Sequence, residues 1–378
     1  MRRKIKQKSQ ERIYLAILVF IIVVIALVGV RVSKYIPTFF ELFFKKEITL
    51  KQTEEKRINI LLLGIGGENH DGPNLTDTII YASIDPEKQK VNLISIPRDL
   101  WIPELKAKIN TAYASGEDKE EGGGLKLSKA VVARITGQEI DYALRVDFNG
   151  FIKAVDMVGG LDIDVEKTFD DYEYPIAGKQ TDTCGVPDEK LEELATESSQ
   201  LEAFPCRYEH LHFEKGIQHM DGKTALKFVR SRHGNNSEGT DFARSKRQEK
   251  VILAFKDKVF SLQTFLNPVR LLSLYDVFEG SIDTDIEPTE MDDFIKLAQK
   301  LKNTEIKSTV LDYGDENQGR EGLLVNPPFS SQYGYQWVII PRVGSGNYKE
   351  IQEYVKCEIE VGVCLITPTK TQLDEKEN

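Results

Sequence analysis

Residues 76–96 read TDTIIYASIDPEKQKVNLISI: two apolar runs, Thr78 to Ile84 and Val91 to Ile96, joined by Asp85-Pro86-Glu87-Lys88. Runs of this length, rich in β-branched side chains and parted by a polar turn with a proline, predict a β-hairpin. Upstream, Ile58-Asn59-Ile60-Leu61-Leu62-Leu63 is another apolar run, ended by Gly64-Ile65-Gly66-Gly67, and reads as a buried strand feeding a loop. Downstream, Leu125, Leu127, Val131, Val132 and Ile135 mark a helix. A strand at Tyr142 to Val146, a helix from Phe148 to Met157, a Gly159-Gly160 turn and a strand from Leu161 to Val165 follow. Strands alternating with helices predict an α/β layered fold.

Farther along, Tyr172 to Glu209 breaks the pattern with prolines, acidic residues and two cysteines, and reads as an insertion loop stapled by a disulfide. Regular structure resumes at Gly222 to Val229, a helix or helix-strand junction, and in a helix from Asp241 to Phe260. Helical patterns near Pro268 to Tyr275 and Thr289 to Leu301, a strand at Trp337 to Ile340 and a helix from Asn347 to Tyr354 complete the expected elements.

The other end of the chain sets the compartment. Ile13 to Val30 are eighteen consecutive uncharged residues, about 27 Å as a helix and close to a hydrocarbon core. Arg2, Arg3, Lys4, Lys6, Lys8 and Arg12 precede the run, so the positive-inside rule keeps residues 1–12 cytoplasmic and sends the remainder outside. The expected organisation is a tail (1–12), a transmembrane signal anchor (13–32), a stalk (33–56), a main domain (57–312) carrying the 172–209 insertion, a C-terminal extension (313–368) and a disordered tail (369–378). Localisation is then the cell membrane, single-pass, with an extracytoplasmic domain. All four cysteines lie on the outer side, where disulfides persist. The sequence-local pairing of the three possible is Cys184 with Cys206 and Cys357 with Cys364, a metal site being the weaker reading.

A net charge of −10 argues against a nucleic-acid partner. Against that background Arg230, Arg232, Arg244 and Arg247 fall within nineteen residues that also hold Asp241. If residues 228–232 are extended, Phe228, Arg230 and Arg232 leave one strand face. Gly239-Thr240-Asp241 reads as a loop and N-cap, with Arg244 and Gln248 four apart on the helix behind it. Guanidinium forks beside a helix N-terminus suit a phosphate or pyrophosphate; an ion-pair network on a solvated helix face is the alternative. The Gly64 run lacks the lysine of a P-loop and the spacing of a dinucleotide fingerprint. His210 and His212 read as neighbours on a surface strand rather than metal ligands, and Tyr142, Phe148 and Phe151 as core. His233 either contacts phosphate or has no role.

Six pieces in order carry a resemblance: the first strand ending in glycine, "LTDTIIYASIDPEKQKVNLISIPRDLW", "KINTAYASG", "DYALRVDFNGFIKAVDMVGGLDIDV", "FEKGIQHMDGKTALKFVRSRH" and "DFARSKRQ". Over roughly Arg57 to Phe260 the chain resembles the LytR-CpsA-Psr family of membrane-anchored cell-envelope proteins. The resemblance implies an α/β/α sandwich with a central mixed sheet, behind the single N-terminal transmembrane helix. It implies a polyprenyl-pyrophosphate-linked glycan as donor, a cell-wall acceptor and Mg²⁺ as cofactor. Asp77 matches the metal-binding aspartate, Arg98 the pyrophosphate-binding arginine, and Arg230, Arg232, Arg244 and Gln248 the remaining anion-binding positions, to which the cluster adds Arg247. Asp241 matches the acidic residue before Arg244. Two positions depart from the pattern: Leu75 replaces an arginine, and Gly66 stands where a second metal-binding aspartate is usual, which leaves Asp71 as substitute.

Charge then dictates the expected chemistry. Displacement at a pyrophosphate phosphorus builds charge that arginine forks and one Mg²⁺ stabilise. Arg98 and Arg244 are the catalytic arginines in this reading, and Asp99 and Asp241 are candidates for the base; a helix N-cap is the equal alternative for Asp241. The competing function is a non-catalytic lipid- or glycan-binding envelope protein.

Overall fold

The computed structural model describes residues 48–67, 72–197, 199–259, 280–301, 304, 306–315, 320–362, 364 and 366. Two compact units are present, Lys51–Ile286 with Lys300–Asn378 and Met1–Leu50 with Glu287–Gln299. The expected transmembrane segment, most of the expected stalk, the helical pattern near Pro268 and the polar tail fall outside the described residues.

In the larger unit the expected hairpin forms the middle of the sheet. β1 (Ile58–Ile65), β2 (Thr76–Asp85) and β3 (Lys90–Ser95) run antiparallel in turn, with Ile84 opposite Val91. The turn between β2 and β3 is tied by Asp85, whose Oδ1 accepts from Glu87 N (3.1 Å) and Lys88 N (2.8 Å) and whose Oδ2 lies 3.3 Å from Arg57. α1 (Gly123–Thr136) crosses to β4 (Tyr142–Asp147), which pairs parallel with β1. Then come α2 (Phe148–Met157), β5 (Leu161–Val165), β6 (Phe169–Pro175), β7 (Tyr208–Phe213), β8 (Gly216–Met220), α3 (Gly222–Arg230) and α4 (Asp241–Val259). β9 (Ile282–Thr284) pairs antiparallel with β4. After α5 (Met291–Lys300), β10 (Ile306–Val310) joins β3 in parallel and α6 (Lys349–Glu360) follows. The six-stranded mixed sheet has the order β9-β4-β1-β2-β3-β10.

Period-two alternation decides which side chains meet which layer. Leu61, Leu63, Ile79, Tyr81, Ile94 and Ile96 leave one face and pack with Val132 and Ile135 of α1 and Ile351, Val355 and Ile359 of α6. Each such side chain fully buried contributes roughly 1.5–3 kcal/mol relative to exposure. On the other face, Gln248 of α4 reaches Thr78 of β2 (Nε2 to Oγ1, 3.4 Å). Helices thus cover both faces, the expected α/β/α arrangement. A second core gathers Val155 of α2, Ile163 of β5, Phe169 of β6, Phe213 of β7, Phe228 of α3 and Val251 of α4. Gly222 lets α3 approach α2, since a Cβ there would meet Ile152 O at 2.2 Å.

Several expectations are corrected. Phe228 and Arg230 belong to a helix, not a strand: Asp221 caps α3 by accepting from Thr224 N (2.7 Å), and the chain turns extended only at Ser231. The 172–209 insertion is largely regular, holding the end of β6, helices Asp188–Glu197 and Gln200–Ala203 and the start of β7. Near the C-terminus, the strand expected at Trp337 to Ile340 is only Ile340–Pro341, paired with Leu324–Val325, while α6 runs on to Glu360. Both expected disulfides are present, Cys184–Cys206 and Cys357–Cys364. In the smaller unit Thr49 donates to Asp293 Oδ2 from N (2.9 Å) and Oγ1 (2.8 Å), and Lys296 pairs with Asp292 and Asp293.

Candidate active site

The start of β2, the segment after β3, the end of α3 and the first turns of α4 converge on one cavity of about 360 Å³. They deliver Asp77 and Thr78, then Arg98, then Arg230, Arg232 and His233, then Arg244 and Gln248. Arg98 Nη1 donates to Asp77 Oδ1, and Arg232 Nη2 lies 3.6 Å from the same oxygen. Burial pushes the Asp77 carboxyl up, but the charges of Arg98 and Arg232, the hydrogen bond from Arg98 and the charge of Arg230 outweigh it and hold Asp77 below its ordinary range. Asp77 is therefore ionised at neutral pH.

Arg230 is held by aromatic rings. Its guanidinium lies 4.2 Å from the Phe148 ring centroid, and Nη1 donates to Tyr174 Oη (3.0 Å). Phe148, expected in the core, is thus a wall of the cavity; Tyr142 is core as expected, and Phe151 packs at the edge of the second core.

Asp171 is the residue the sequence reading missed. Fully buried on β6, it accepts from Ser231 Oγ (2.6 Å), Arg232 N (3.1 Å) and His233 N (3.2 Å) through Oδ2, and from Glu173 N (2.9 Å) through Oδ1. One carboxylate thus sets the backbone that carries Arg232 and His233. A signal was present: Asp171 is two residues from Phe169, on the buried side of the strand, where an acid needs donors.

Not every expected residue faces the cavity. Arg247 points inward, donating to Phe228 O (2.8 Å), Ser231 O (2.6 Å) and Glu238 Oε2 (2.8 Å), and so ties α4 to the end of α3. This corrects its expected place among the anion-binding residues. Asp99 faces Lys108 (2.7 Å) and Arg98 Nε (3.4 Å) and is not among the cavity-lining residues. Geometry makes it a partner that orients Arg98 rather than a base. Asp241 opens α4, whose N-terminus is capped by Thr240 Oγ1 accepting from Ala243 N (3.1 Å); its side chain is outside the described residues, as is Asp71. Asp77 is the described carboxylate placed between arginines, and a single carboxylate fits a hard cation that takes its other ligands from phosphate oxygens and water. His210 and His212 lie on surface strand β7, both against Asp170 Oδ1 (2.7 and 2.8 Å). The one His, Cys and carboxylate group of metal-binding compactness among the described residues is Asp182 with Cys184 and Cys206, whose sulfurs are bonded to each other.

Residues 42–326 match the LytR_cpsA_psr family model, which covers both the sheet and this cavity. The chain belongs to the LytR-CpsA-Psr family. Among curated LytR-CpsA-Psr relatives, the polyisoprenyl-teichoic acid–peptidoglycan teichoic acid transferase TagU of Oceanobacillus iheyensis is 28% identical over 247 residues, 64% of this chain and 63% of that protein. TagV of Bacillus subtilis, of the same description, is 26% identical over 301 residues, 75% of this chain and 66% of its own. The matches thus span just under two thirds of those relatives' lengths. The crystal structure of B. subtilis TagV shares the fold, with TM-score 0.51, 22% identity and coverage of 84% of this chain and 100% of that one. Within the LytR-CpsA-Psr region, the cavity arginines come from three separate stretches, 98, 230–232 and 244, which only the fold brings together.

Proposed function

We propose that this chain is a phosphotransferase that moves a glycan polymer from a polyprenyl-pyrophosphate carrier to the cell wall, assisted by Mg²⁺. One observation carries the reading: Arg98, Arg230, Arg232 and Arg244 line a single cavity around Asp77 in a chain whose relatives are teichoic acid transferases. Four guanidinium groups around one cavity repel one another, and a polyanion with several oxygens relieves that repulsion through paired N–H donors.

In the proposed step an acceptor hydroxyl oxygen bonds to the glycan-bearing phosphorus while the bridging P–O bond breaks and polyprenyl phosphate departs with the electron pair. Arg98, Arg230, Arg232 and Arg244 stabilise charge on the equatorial and departing oxygens. Arg230, braced by Phe148 and Tyr174, and Arg232, braced by Asp171, need little rearrangement to do so. The hydroxyl proton goes to a carboxylate; Asp99 is turned to Lys108, which leaves Asp241 as the candidate from the sequence. Asp77, with Asp71 as second ligand, would hold Mg²⁺, which supplies further neutralisation of the phosphate charge. The apolar run 13–30 and its basic flank support a single-pass anchor with this domain outside the cell membrane.

The test uses the full chain in detergent with a polyprenyl-pyrophosphate-linked glycan and peptidoglycan fragments. Polyprenyl monophosphate should appear in step with glycan on the acceptor, and chelation of Mg²⁺ should stop both. Donor binding without any release of polyprenyl monophosphate would leave the non-catalytic reading in its place.

A further inference from the structure

The matched family region ends at residue 326, and a surface loop begins there. From Gly322 to Pro341 the chain reads GLLVNPPFSSQYGYQWVIIP, without one charged residue. Residues 326–338 form a closed loop. Asn326 Nδ2 donates to Val338 O (2.6 Å) at its neck, and Tyr333 turns inward, edge-on to Trp101 with ring centroids 5.5 Å apart. Just beyond the neck, Ile339 bridges to Leu100 and its N–H donates to Asp99 O (3.0 Å). The loop is therefore rooted in the backbone that carries Arg98.

Its outer surface holds three large rings in water: Phe329 is 66% exposed, Tyr335 72% and Trp337 43%. Tyr335 sits at φ 52°, a left-handed conformation that costs a bulky residue energy, and its N–H donates to Ser330 O (3.0 Å), next to Phe329. Packing does not require an aromatic side chain there, because the ring points outward. Around the rings, Ser331, Gln332 and Gln336 are exposed, and their side chains make no hydrogen bond among the described residues.

We propose that the 326–338 loop is a binding site for the neutral glycan strand of the wall, since a stretch with no lysine or arginine offers no cation to a phosphate-bearing polymer. Rigid rings offer flat apolar area to the C–H face of a sugar, while amides and hydroxyls beside them meet its hydroxyl groups. A lipid surface fits less well. Insertion of the rings would strip water from three unpartnered polar side chains, and no lysine or arginine between 322 and 341 is present to meet anionic headgroups. The site is separate from the arginine cavity and stands whether or not that cavity catalyses transfer.

Cosedimentation of the full chain in detergent tests the proposal, with three probes: sacculi stripped of attached polymer, unstripped sacculi, and beads carrying a covalently linked anionic phospholipid headgroup. Tyr335→Ala with Trp337→Ala should cut binding to sacculi at least tenfold, leaving the melting temperature and the binding of a polyprenyl pyrophosphate unchanged. Tyr335→Gly, which relieves the backbone strain, should lose binding while melting no lower than the parent. Binding to both sacculi supports the wall strand as occupant; binding to unstripped sacculi alone would place the attached polymer on the loop and overturn the assignment. Undiminished sacculus binding in these variants, or loss of headgroup-bead binding in place of sacculus binding, overturns the assignment.

Discussion

Arg244 and Arg247 sit three residues apart on α4 and have opposite expected roles. Arg247 is buried, with its guanidinium committed to two carbonyls and Glu238. Replacing it with Ala strands Glu238 and the carbonyls of Phe228 and Ser231, and should cost about 3–5 kcal/mol in denaturant melts. Arg244→Ala, like Arg98→Ala or Arg232→Ala, should leave stability nearly unchanged and lower turnover about 10²-fold to 10³-fold. Lysine should rescue only in part, since an ammonium cannot form the bidentate fork. Asp171→Ala removes the acceptor of three donors around Arg232 and should reduce both stability and pyrophosphate affinity. Asp171→Asn keeps the shape and one acceptor oxygen, so it should recover more stability than affinity; equal recovery of both would make Asp171 purely structural. A helical wheel from the sequence could not separate Arg247 from Arg244, because what buries Arg247 is the end of α3 folding back onto α4, and a wheel of α4 alone does not contain that neighbour.

At the level of elements, strands were legible wherever one face is buried. The β2–β3 hairpin, α2 and β5 fall where alternation and periodicity put them, because each side chain's environment follows from its position along a regular element. The end of α3 was not legible. Phe228, Arg230 and Arg232 mimic strand alternation across a helix end, so the expected helix or helix-strand junction at Gly222 to Val229 left open where the helix stops, which is at Arg230. Asp85 makes the hairpin turn testable by pH. Burial raises its pKa, but the hydrogen bond from Lys88 N and the charges of Arg57 and Lys88 outweigh this and set it below the ordinary value. The stabilisation is therefore fully present above the unfolded value of about 3.9 and is lost as pH falls through the lower folded value. Asp85→Asn should be less stable than the parent at pH 6, with the gap closing below about pH 4; a gap independent of pH would refute the electrostatic account. The insertion offers a second element-scale test. Cys184–Cys206 lies in the same insertion as Ala177 and Gln180, which line the cavity just before the loop that the disulfide closes. Replacing both cysteines by serine should cost about 2–4 kcal/mol and expose 176–207 to limited proteolysis.

Across the whole molecule, a net-acidic chain concentrates guanidinium groups from three distant stretches at one cavity. Motif order made the family and the set Asp77, Arg98, Arg230, Arg232, Arg244 and Gln248 legible before any coordinates. The buried support, Asp171 and Arg247, was not, because it depends on which elements meet. The most direct measurement of the central claim is the affinity of the parent chain and its Arg98→Ala, Arg230→Ala, Arg232→Ala and Arg244→Ala variants for a polyprenyl pyrophosphate and the matching monophosphate, paired with thermal melts. The account predicts that the parent prefers the pyrophosphate, that each variant loses this preference, and that each melts no lower than the parent in the absence of ligand. Variants that melt several degrees lower yet keep the pyrophosphate preference would show that the arginines are structural ion pairs, and would contradict the account.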